Sequence, residues 1–307
     1  MSFLVVLQQM GVICLLVAIG FYLNKKGVVD GLTSKKISAI VVDVTNPALI
    51  MASILSGNVT ASHDDLIVAA LLGITFYVIV ILLGLILPRI LRAAPDDRRF
   101  YNLMCVYTNI GFLGIPVARA ILPENAIIYV VVCNVFYSLL FYTHGVTVLG
   151  GGKEKVNLKK IISPGTVMAV LSLAVFWFGI QLPPILSNTV QYIGNSTIFL
   201  SMMLLGVVIA RSDLASSVKD IRIWVYIVLR MILIPIATFY IMQVLKFDPV
   251  ATITMCLMTA MPVGNLPLIQ AEKTGEKTEI LSSAIALTTA VSIISITVLM
   301  SAFSVIL

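Results

Sequence analysis

Charged side chains are scarce in this chain of 307 residues. Asp, Glu, Lys and Arg make up only 11% of it, whereas 60% of the residues are hydrophobic and the mean hydropathy is +1.08. Because a soluble domain is typically about a quarter charged, this composition excludes a soluble globular protein. The apolar runs are continuous and do not alternate with polar residues, so they predict membrane-spanning α-helices and not the strands of a barrel.

Histidine and cysteine are also few. The two histidines are His63 and His144, and the four cysteines lie in apolar runs without CxxC spacing, which argues against a metal site or a disulfide framework. An intramembrane protease would need a Ser/His dyad, paired aspartates or an HExxH helix. Asp43 is the only carboxylate well inside an apolar run. We therefore predict a protein that is not an enzyme and has no cofactor.

Ten apolar segments are long enough to cross a bilayer, which takes roughly 20 residues per helix. We predict the spans at 3–23, 36–56, 66–88, 99–120, 125–148, 164–182, 187–210, 222–245, 250–271 and 280–306. The longest polar stretch between them is a modest loop at about 150–163. The predicted fold is an all-α polytopic membrane protein, and the absence of a soluble output domain argues against a receptor.

Basic residues alternate between the connectors. The net charge is +6, and 17 of the 20 Lys and Arg residues lie in odd-numbered connectors, whereas the even connectors hold only Arg119 and Lys246. By the positive-inside rule, odd connectors face the cytoplasm and both termini lie outside the cytoplasmic (inner) membrane. The positive charge is thus interpreted as a topology signal, and nucleic acid is not an expected partner.

An internal repeat links the fourth and ninth spans. Met104, Cys105, Thr108 and Pro116 recur as Met255, Cys256, Thr259 and Pro267, all at an offset of 151 residues. The two segments lie five spans apart, and an odd number of crossings inverts the second copy. This pattern predicts two inverted five-helix repeats, residues 1–152 and 153–307, an arrangement found in many secondary transporters.

The repeated segments are poor helix formers. Gly111, Gly114 and Pro116 lie within the fourth span, and Pro262, Gly264 and Pro267 lie within the ninth. Proline removes a backbone donor and glycine weakens the helix, and interrupted helices persist at membrane depth only inside protein or beside a watery cavity. A simple proline kink is the alternative, but two interruptions at corresponding positions favour a binding site.

The exposed ends of interrupted helices define the chemistry expected there. Amide ends carry partial positive charge and suit an anion such as a carboxylate, whereas carbonyl ends suit a cation. Asn109 and Asn265, one in each segment, can both donate and accept hydrogen bonds. The exposed amide ends therefore favour a small organic anion, especially a carboxylate, as the ligand.

The same residues carry a family resemblance. Asn46-Pro47-Ala48-Leu49, together with the segment from Thr108 to Pro116 (TNIGFLGIP), resembles the auxin efflux carrier (AEC) family. That family includes plant PIN auxin carriers and bacterial permeases for malate or malonate, and the short loop after the fifth span is similar to the bacterial members. The resemblance implies a fold related to bile-acid sodium symporters and a homodimer formed through the scaffold.

In that fold, spans 1, 2, 6 and 7 form a scaffold, and spans 3–5 and 8–10 form a transport domain that moves like an elevator, with the broken helices 4 and 9 crossing. The implied substrate site comprises Asn46, Asn109, Gly111, Gly114, Pro116, Pro262, Gly264, Asn265 and Pro267. Span 7 lacks an Asn-Pro pair, and Asn195-Ser196-Thr197 is the candidate replacement. A sodium-coupled symporter, using oxygens of Thr108 and Gln270 among others, and a channel are the alternatives.

Two charges lie within predicted spans. Asp43 precedes Asn46 in span 2, and Arg230 lies in span 8; intramembrane charges are costly and usually have a partner or a function. We hypothesise that Asp43 couples transport to a proton or sodium ion and that Arg230 is its partner or attracts the anion. A structural ion pair or snorkelling side chains are the alternatives, and His144 is expected to be an interfacial residue, with a proton shuttle as the alternative.

Overall fold

The computed structural model describes residues 3–55, 62–151, 162–212 and 218–307. These residues are helical, and their only β-type pairing is a single antiparallel bridge between Thr108 and Val263. Seven of the described helices are long and apolar enough to cross a membrane. The predicted all-α polytopic fold is thus confirmed. Lys153, Lys155, Lys159 and Lys160, and the predicted repeat boundary, lie outside the described residues.

The helices are numbered here in chain order. The first six are α1 (Phe3–Lys25), α2 (Gly31–Leu55), α3 (His63–Ile90), α4 (Arg98–Val106), α5 (Ile110–Ile121) and α6 (Glu124–Leu149). They are followed by α7 (Pro164–Trp177), α8 (Pro184–Arg211), α9 (Ile221–Val244), α10 (Pro249–Ala260), α11 (Leu266–Thr274) and α12 (Glu279–Ile306). The predicted fourth span is divided into α4 and α5, and the predicted ninth span into α10 and α11.

Side-chain caps fix where several helices begin. The Thr33 amide donates to the Asp30 carboxylate at 2.7 Å, which lowers the pKa of Asp30 and starts α2 five residues before the predicted boundary. Ser62 and Asp65 form a reciprocal capping box at the start of α3, and Asp248 caps α10. Each cap satisfies amides that lack a partner in the first turn.

One helix ends earlier than predicted. The sixth span was expected to reach residue 182, but α7 ends at Trp177. Gly179 adopts a left-handed conformation with φ of +59°. Its amide donates to the Phe176 carbonyl, and the Ile180 amide donates to the Val175 carbonyl. This is a Schellman termination, which glycine allows because it has no Cβ.

Two groups of helix contacts stand out, and the groups also contact each other. In one group α1 lies along α8, and α2 packs against both α7 and α8; in the other, α3 packs against α4 and α6, and α10 against α9 and α12. Between the groups, α12 contacts α1 and α8, and α6 contacts α7. Large apolar side chains on α1, α3 and α12 remain exposed, among them Leu15, Leu71 and Ile294. In a membrane protein such surfaces face lipid or another subunit.

Two glycines bring α1 and α8 into backbone contact. A Cβ on Gly206 would lie 2.0 Å from the Val17 carbonyl oxygen, and one on Gly20 would lie 2.0 Å from that of Met203. Small residues at such crossings let membrane helices approach closely, and the association then depends on van der Waals packing.

Gly206→Leu is expected to separate α1 from α8, because the new side chain has no space at the crossing. We expect the thermal unfolding midpoint in detergent to fall by about 5 °C or more. Gly11→Leu is the matched control, since no atom lies within 4 Å of its Cβ position. Equal midpoints for the two variants would contradict the proposed close packing.

Candidate functional site

The second interruption contains the predicted Pro262 and Gly264, whereas the first, Tyr107–Asn109, lies just before Gly111, Gly114 and Pro116, which fall within α5. After α4 ends, Tyr107, Thr108 and Asn109 leave the helical conformation before α5 begins. After α10 ends, Met261 is extended, and α11 begins at Leu266 with a proline in its first turn. Proline fits a first turn because no backbone donor is needed there. Both interruptions therefore end one helix and start another.

The interruptions cross and pair with each other. The Asn109 amide donates to the Pro262 carbonyl at 2.8 Å, and the Gly264 amide donates to the Tyr107 carbonyl at 3.0 Å. Thr108 and Val263 thereby form the antiparallel bridge. Each interruption thereby provides hydrogen-bond partners for backbone groups of the other, which lipid could not provide.

Glycine is needed at the crossing for a steric reason. A Cβ on Gly264 would lie 2.8 Å from the Tyr107 carbonyl oxygen and 3.0 Å from that of Thr108. A Cβ on Gly111 would lie 3.2 Å from the Asn134 side-chain oxygen, whereas Gly114 has only ordinary contacts of 3.5 Å or more. Gly264 and Gly111 thus permit close approaches that Gly114 does not require.

Wide π-type turns occur where charged and glycine residues were singled out. They cover Val41–Thr45, Ile110–Gly114, Phe141–Gly145 and Val228–Leu233, and so include Asp43, Gly111, His144 and Arg230. In three of the four, a proline follows two residues after the turn, namely Pro47, Pro116 and Pro235. Proline cannot continue the helical ladder and clashes with the carbonyl four residues earlier, which favours a widened turn.

A small polar cavity lies beside the crossing. Its volume is about 50 Å³. Its wall includes four asparagines from different parts of the chain: Asn46 from α2, Asn109 from the first interruption, Asn134 from α6 and Asn265 from the second. Hydroxyl groups complete the polar wall, contributed by Thr108, Tyr137, Ser138, Tyr142 and Ser163. Of the predicted site residues, Asn46, Asn109, Gly111 and Asn265 therefore lie together at one cavity.

Several polar atoms of this wall have no hydrogen-bond partner among the described residues. They are Asn46 Oδ1, Thr108 Oγ1, Asn109 Nδ2 and Asn265 Oδ1. A buried polar group without a partner is costly, and such atoms grouped at one cavity indicate a place for a polar ligand.

The other predicted site residues shape the crossing without lining this cavity. Gly114, Pro116, Pro262, Gly264 and Pro267 are absent from its wall. Pro262 supplies a paired carbonyl and Gly264 a paired amide. Pro116 follows the widened turn of α5, and Pro267 lies in the first turn of α11. Asn195 and Ser196 are exposed, and neither lines the cavity.

Asn134 is a site residue that the sequence analysis missed. It is 4% exposed and lies in the apolar segment Ile127–Leu140. Its signal was available, because an amide side chain in the middle of an apolar membrane helix needs a polar partner.

Asp43 lies in a second cavity and not beside Arg230. This vestibule, about 150 Å³ in volume, is also lined by Lys35, Arg211 and Glu272, and it shares Asn265 with the wall of the first cavity. Within the described residues the one salt bridge joins Arg99 to Glu276 at 2.6 Å. The suggested Asp43–Arg230 ion pair is therefore absent from that part of the chain.

Arg230 instead bonds the ends of the two interrupted helices. Its Nε donates to the Cys105 carbonyl at 3.1 Å, and its Nη1 donates to the Thr259 carbonyl. One turn earlier, the Tyr226 hydroxyl donates to the Met104 carbonyl at 2.7 Å. These carbonyls lie in the last turns of α4 and α10, where the helical ladder provides no donor.

His144 contacts the crossing from the other side. Its Nδ1 lies 3.0 Å from the Tyr107 hydroxyl, which also donates to the Leu140 carbonyl at 2.9 Å. Tyr107 is the residue whose carbonyl accepts the Gly264 amide. His144 is therefore half-buried against the crossing.

Interrupted membrane helices that pair beside a polar cavity are the architecture of membrane transporters. The comparison with known families agrees: the family described as "Membrane transport protein" matches residues 5–155 and 152–300. The chain therefore belongs to this family, the auxin efflux carrier family.

Two archaeal relatives match nearly the full chain. An uncharacterized transporter of Methanocaldococcus jannaschii is 24% identical over 296 residues, covering 93% of this chain and 94% of its own length. An uncharacterized transporter of Methanothermobacter thermautotrophicus is 23% identical over 296 residues, covering 92% of this chain and 94% of its own length. Both names support membrane transport and give no substrate.

Gly264→Ala is expected to open the crossing, because its Cβ would press on backbone atoms that cannot rotate away. We expect faster amide hydrogen exchange at Asn109 and Gly264 and a lower thermal midpoint, by about 5 °C or more. Gly114→Ala is the matched control and should leave exchange at the crossing unchanged. Indistinguishable exchange in the two variants would show that the pairing does not depend on Gly264.

Proposed function

We propose that this chain is a secondary transporter that moves a small organic anion, a mono- or dicarboxylate of malate-like or auxin-like chemistry, across the cytoplasmic membrane. The observation that carries the proposal is the set of unpartnered amide and hydroxyl atoms at the cavity beside the crossed interruptions. The family supports transport in general, and the substrate class is inferred from the cavity together with the family resemblance.

The cavity favours an anion for three reasons. Gly111 and Phe112, in the first turn of α5, and Leu266, the first residue of α11, lie in its wall, and the starts of helices carry partial positive charge. None of the described residues in the wall is acidic, so an incoming carboxylate meets no fixed negative charge. Side-chain donors such as Asn109 Nδ2 have no partner there and can bond its oxygens.

The cavity's size favours a compact ligand. The cavity is small, so a compact carboxylate would enter it more readily than a bulky amphipathic molecule. The charged vestibule adjoins it on the side of Asp43 and Arg211. Under the predicted topology this side faces the cytoplasm, which makes the vestibule the route between the cavity and the cell interior.

The proposed architecture is ten spans in two inverted repeats, with α4–α5 and α10–α11 each forming one interrupted span. The packing groups support a scaffold of α1, α2, α7 and α8 and a transport domain of α3–α6 and α9–α12. Elevator movement of the second group against the first is part of the proposal, as are extracytoplasmic termini and a homodimer formed through the exposed apolar face of the scaffold.

A sodium-coupled symporter of the bile-acid type is the second candidate. Three unpartnered oxygens, Asn46 Oδ1, Thr108 Oγ1 and Asn265 Oδ1, favour it because sodium sites need clustered oxygen ligands. Gln270 lies near a neighbouring pocket and is not part of the main cavity wall. Binding of small carboxylates with sodium or choline as the counter-ion separates the two candidates.

Asn109→Ala and Asn265→Ala are expected to reduce uptake of radiolabelled malate or a related small carboxylate into proteoliposomes by roughly tenfold or more, because each removes hydrogen bonds to a charged ligand. Thermal midpoints should stay near that of the unaltered protein. Asn188→Ala is the matched control, since Asn188 is exposed at the start of α8. Uptake equal to the control in both variants would place the substrate elsewhere.

Asp43→Asn tests coupling separately from binding. If Asp43 carries a coupling proton, the variant should lose uptake driven by an imposed pH gradient but retain counterflow exchange of the same substrate. Asp64→Asn, a change at an exposed carboxylate in the first turn of α3, should leave both unchanged. An unaltered rate and pH profile in Asp43→Asn would remove the coupling role.

A further inference from the structure

Arg230 is a fully buried charge without a carboxylate partner among the described residues. It is 0% exposed, and the salt bridge of that part of the chain joins other residues. An unpaired buried charge is among the costliest groups a protein can hold. Some other feature of its surroundings must therefore balance the guanidinium.

The balancing feature is the meeting of two helix ends. The last turns of α4 and α10 both present carbonyls, and the C-terminal end of a helix carries partial negative charge. In transporters with interrupted helices, such carbonyl ends commonly coordinate a cation. Here the Cys105 and Thr259 carbonyls, one from each helix, are both bonded by the same guanidinium.

We propose that Arg230 is a built-in cation that occupies the carbonyl side of the crossing and holds the two interrupted helices in register. It is a positioning residue: it acts on the substrate site through the ends of α4 and α10, which lead directly into the interruptions bearing Asn109 and Asn265. Its influence on transport rests on the function proposed above, whereas its cation role at the crossing does not.

The direction of the Arg230 side chain follows from the sequence around it. Pro235 lacks the amide that would bond the Met231 carbonyl, and the helix widens into the turn Val228–Leu233. Tyr226, one turn earlier, faces the same helix end.

The first repeat has no arginine that corresponds to Arg230. At the repeat offset of 151 residues, the position equivalent to Arg230 is Ile79, which is 49% exposed. A single arginine therefore serves both helix ends.

The experiment compares Arg230→Lys, Arg230→Met and Arg230→Gly with the unaltered protein, each purified in detergent without substrate. Two quantities are measured: the thermal midpoint, and amide hydrogen exchange of the peptides that contain Asn109 and Gly264. Each is recorded in choline chloride and in millimolar guanidinium chloride at constant ionic strength. None of these measurements requires transport, so failure of the substrate proposal would not affect them.

A cation role predicts that lysine preserves the crossing better than methionine, although methionine fills similar space and suits an apolar interior. It also predicts that guanidinium raises the midpoint of Arg230→Gly by about 5 °C or more and slows its exchange, while leaving the unaltered protein unchanged. If Arg230→Met or Arg230→Gly fails to accumulate while Arg230→Lys does, the order of the variants still supports the proposal.

The opposite order would overturn it. Methionine performing as well as or better than lysine, in accumulation or in exchange at the crossing, would show that Arg230 only fills space. Equal effects of guanidinium on Arg230→Gly and the unaltered protein would count equally against it.

In the transport assay, Arg230→Lys should raise the KM for the carboxylate more than it lowers the maximal rate, because the lysine variant moves Asn109 and Asn265 without removing them.

Discussion

The backbone pairing of two interrupted helices is the interaction on which the rest of the structure depends. Lipid offers no partners for peptide groups, so neither interruption could exist alone at membrane depth. The bonds from Asn109 to Pro262 and from Gly264 to Tyr107 solve this problem for both helices together. The requirement for glycine at position 264 follows, because any side chain there would push the two backbones apart.

The crossing also keeps the partially negative helix ends apart from the partially positive helix starts. The carbonyl ends of α4 and α10 converge on Arg230 and Tyr226, whereas the starts of α5 and α11 adjoin the asparagine-lined cavity. Partial negative charge is therefore neutralised within the protein, and partial positive charge is left facing an open space. A bound anion in that space would neutralise the partial positive charge that the chain alone leaves without a partner.

The sequence predicted features that depend on local chemistry. Pro262 and Gly264 located the second interruption, Gly111, Gly114 and Pro116 lie just after the first, and the continuous apolar runs predicted membrane helices. It did not predict contacts between distant segments: Arg230 bonds Cys105, which is 125 residues away, and no periodicity encodes that distance. Asn134 lies in an apolar run without a nearby glycine or proline, so no helix interruption marked it, unlike Asn109 and Asn265. The early end of α7 depends on the left-handed backbone conformation of Gly179, which hydropathy does not predict.

The origin of the four asparagines bears on how a solute could move. In the proposed division, Asn109, Asn134 and Asn265 belong to the transport domain, whereas Asn46 belongs to α2 of the scaffold. The Cβ position of Gly111 lies 3.8 Å from Asn46 Oδ1 and 3.2 Å from Asn134 Oδ1, so the two groups meet there with no side chain between them. In the proposed elevator, three asparagines would travel with the substrate and Asn46 would stay behind. The absence of a side chain on Gly111 would then allow one group to slide past the other without a steric barrier at the site itself.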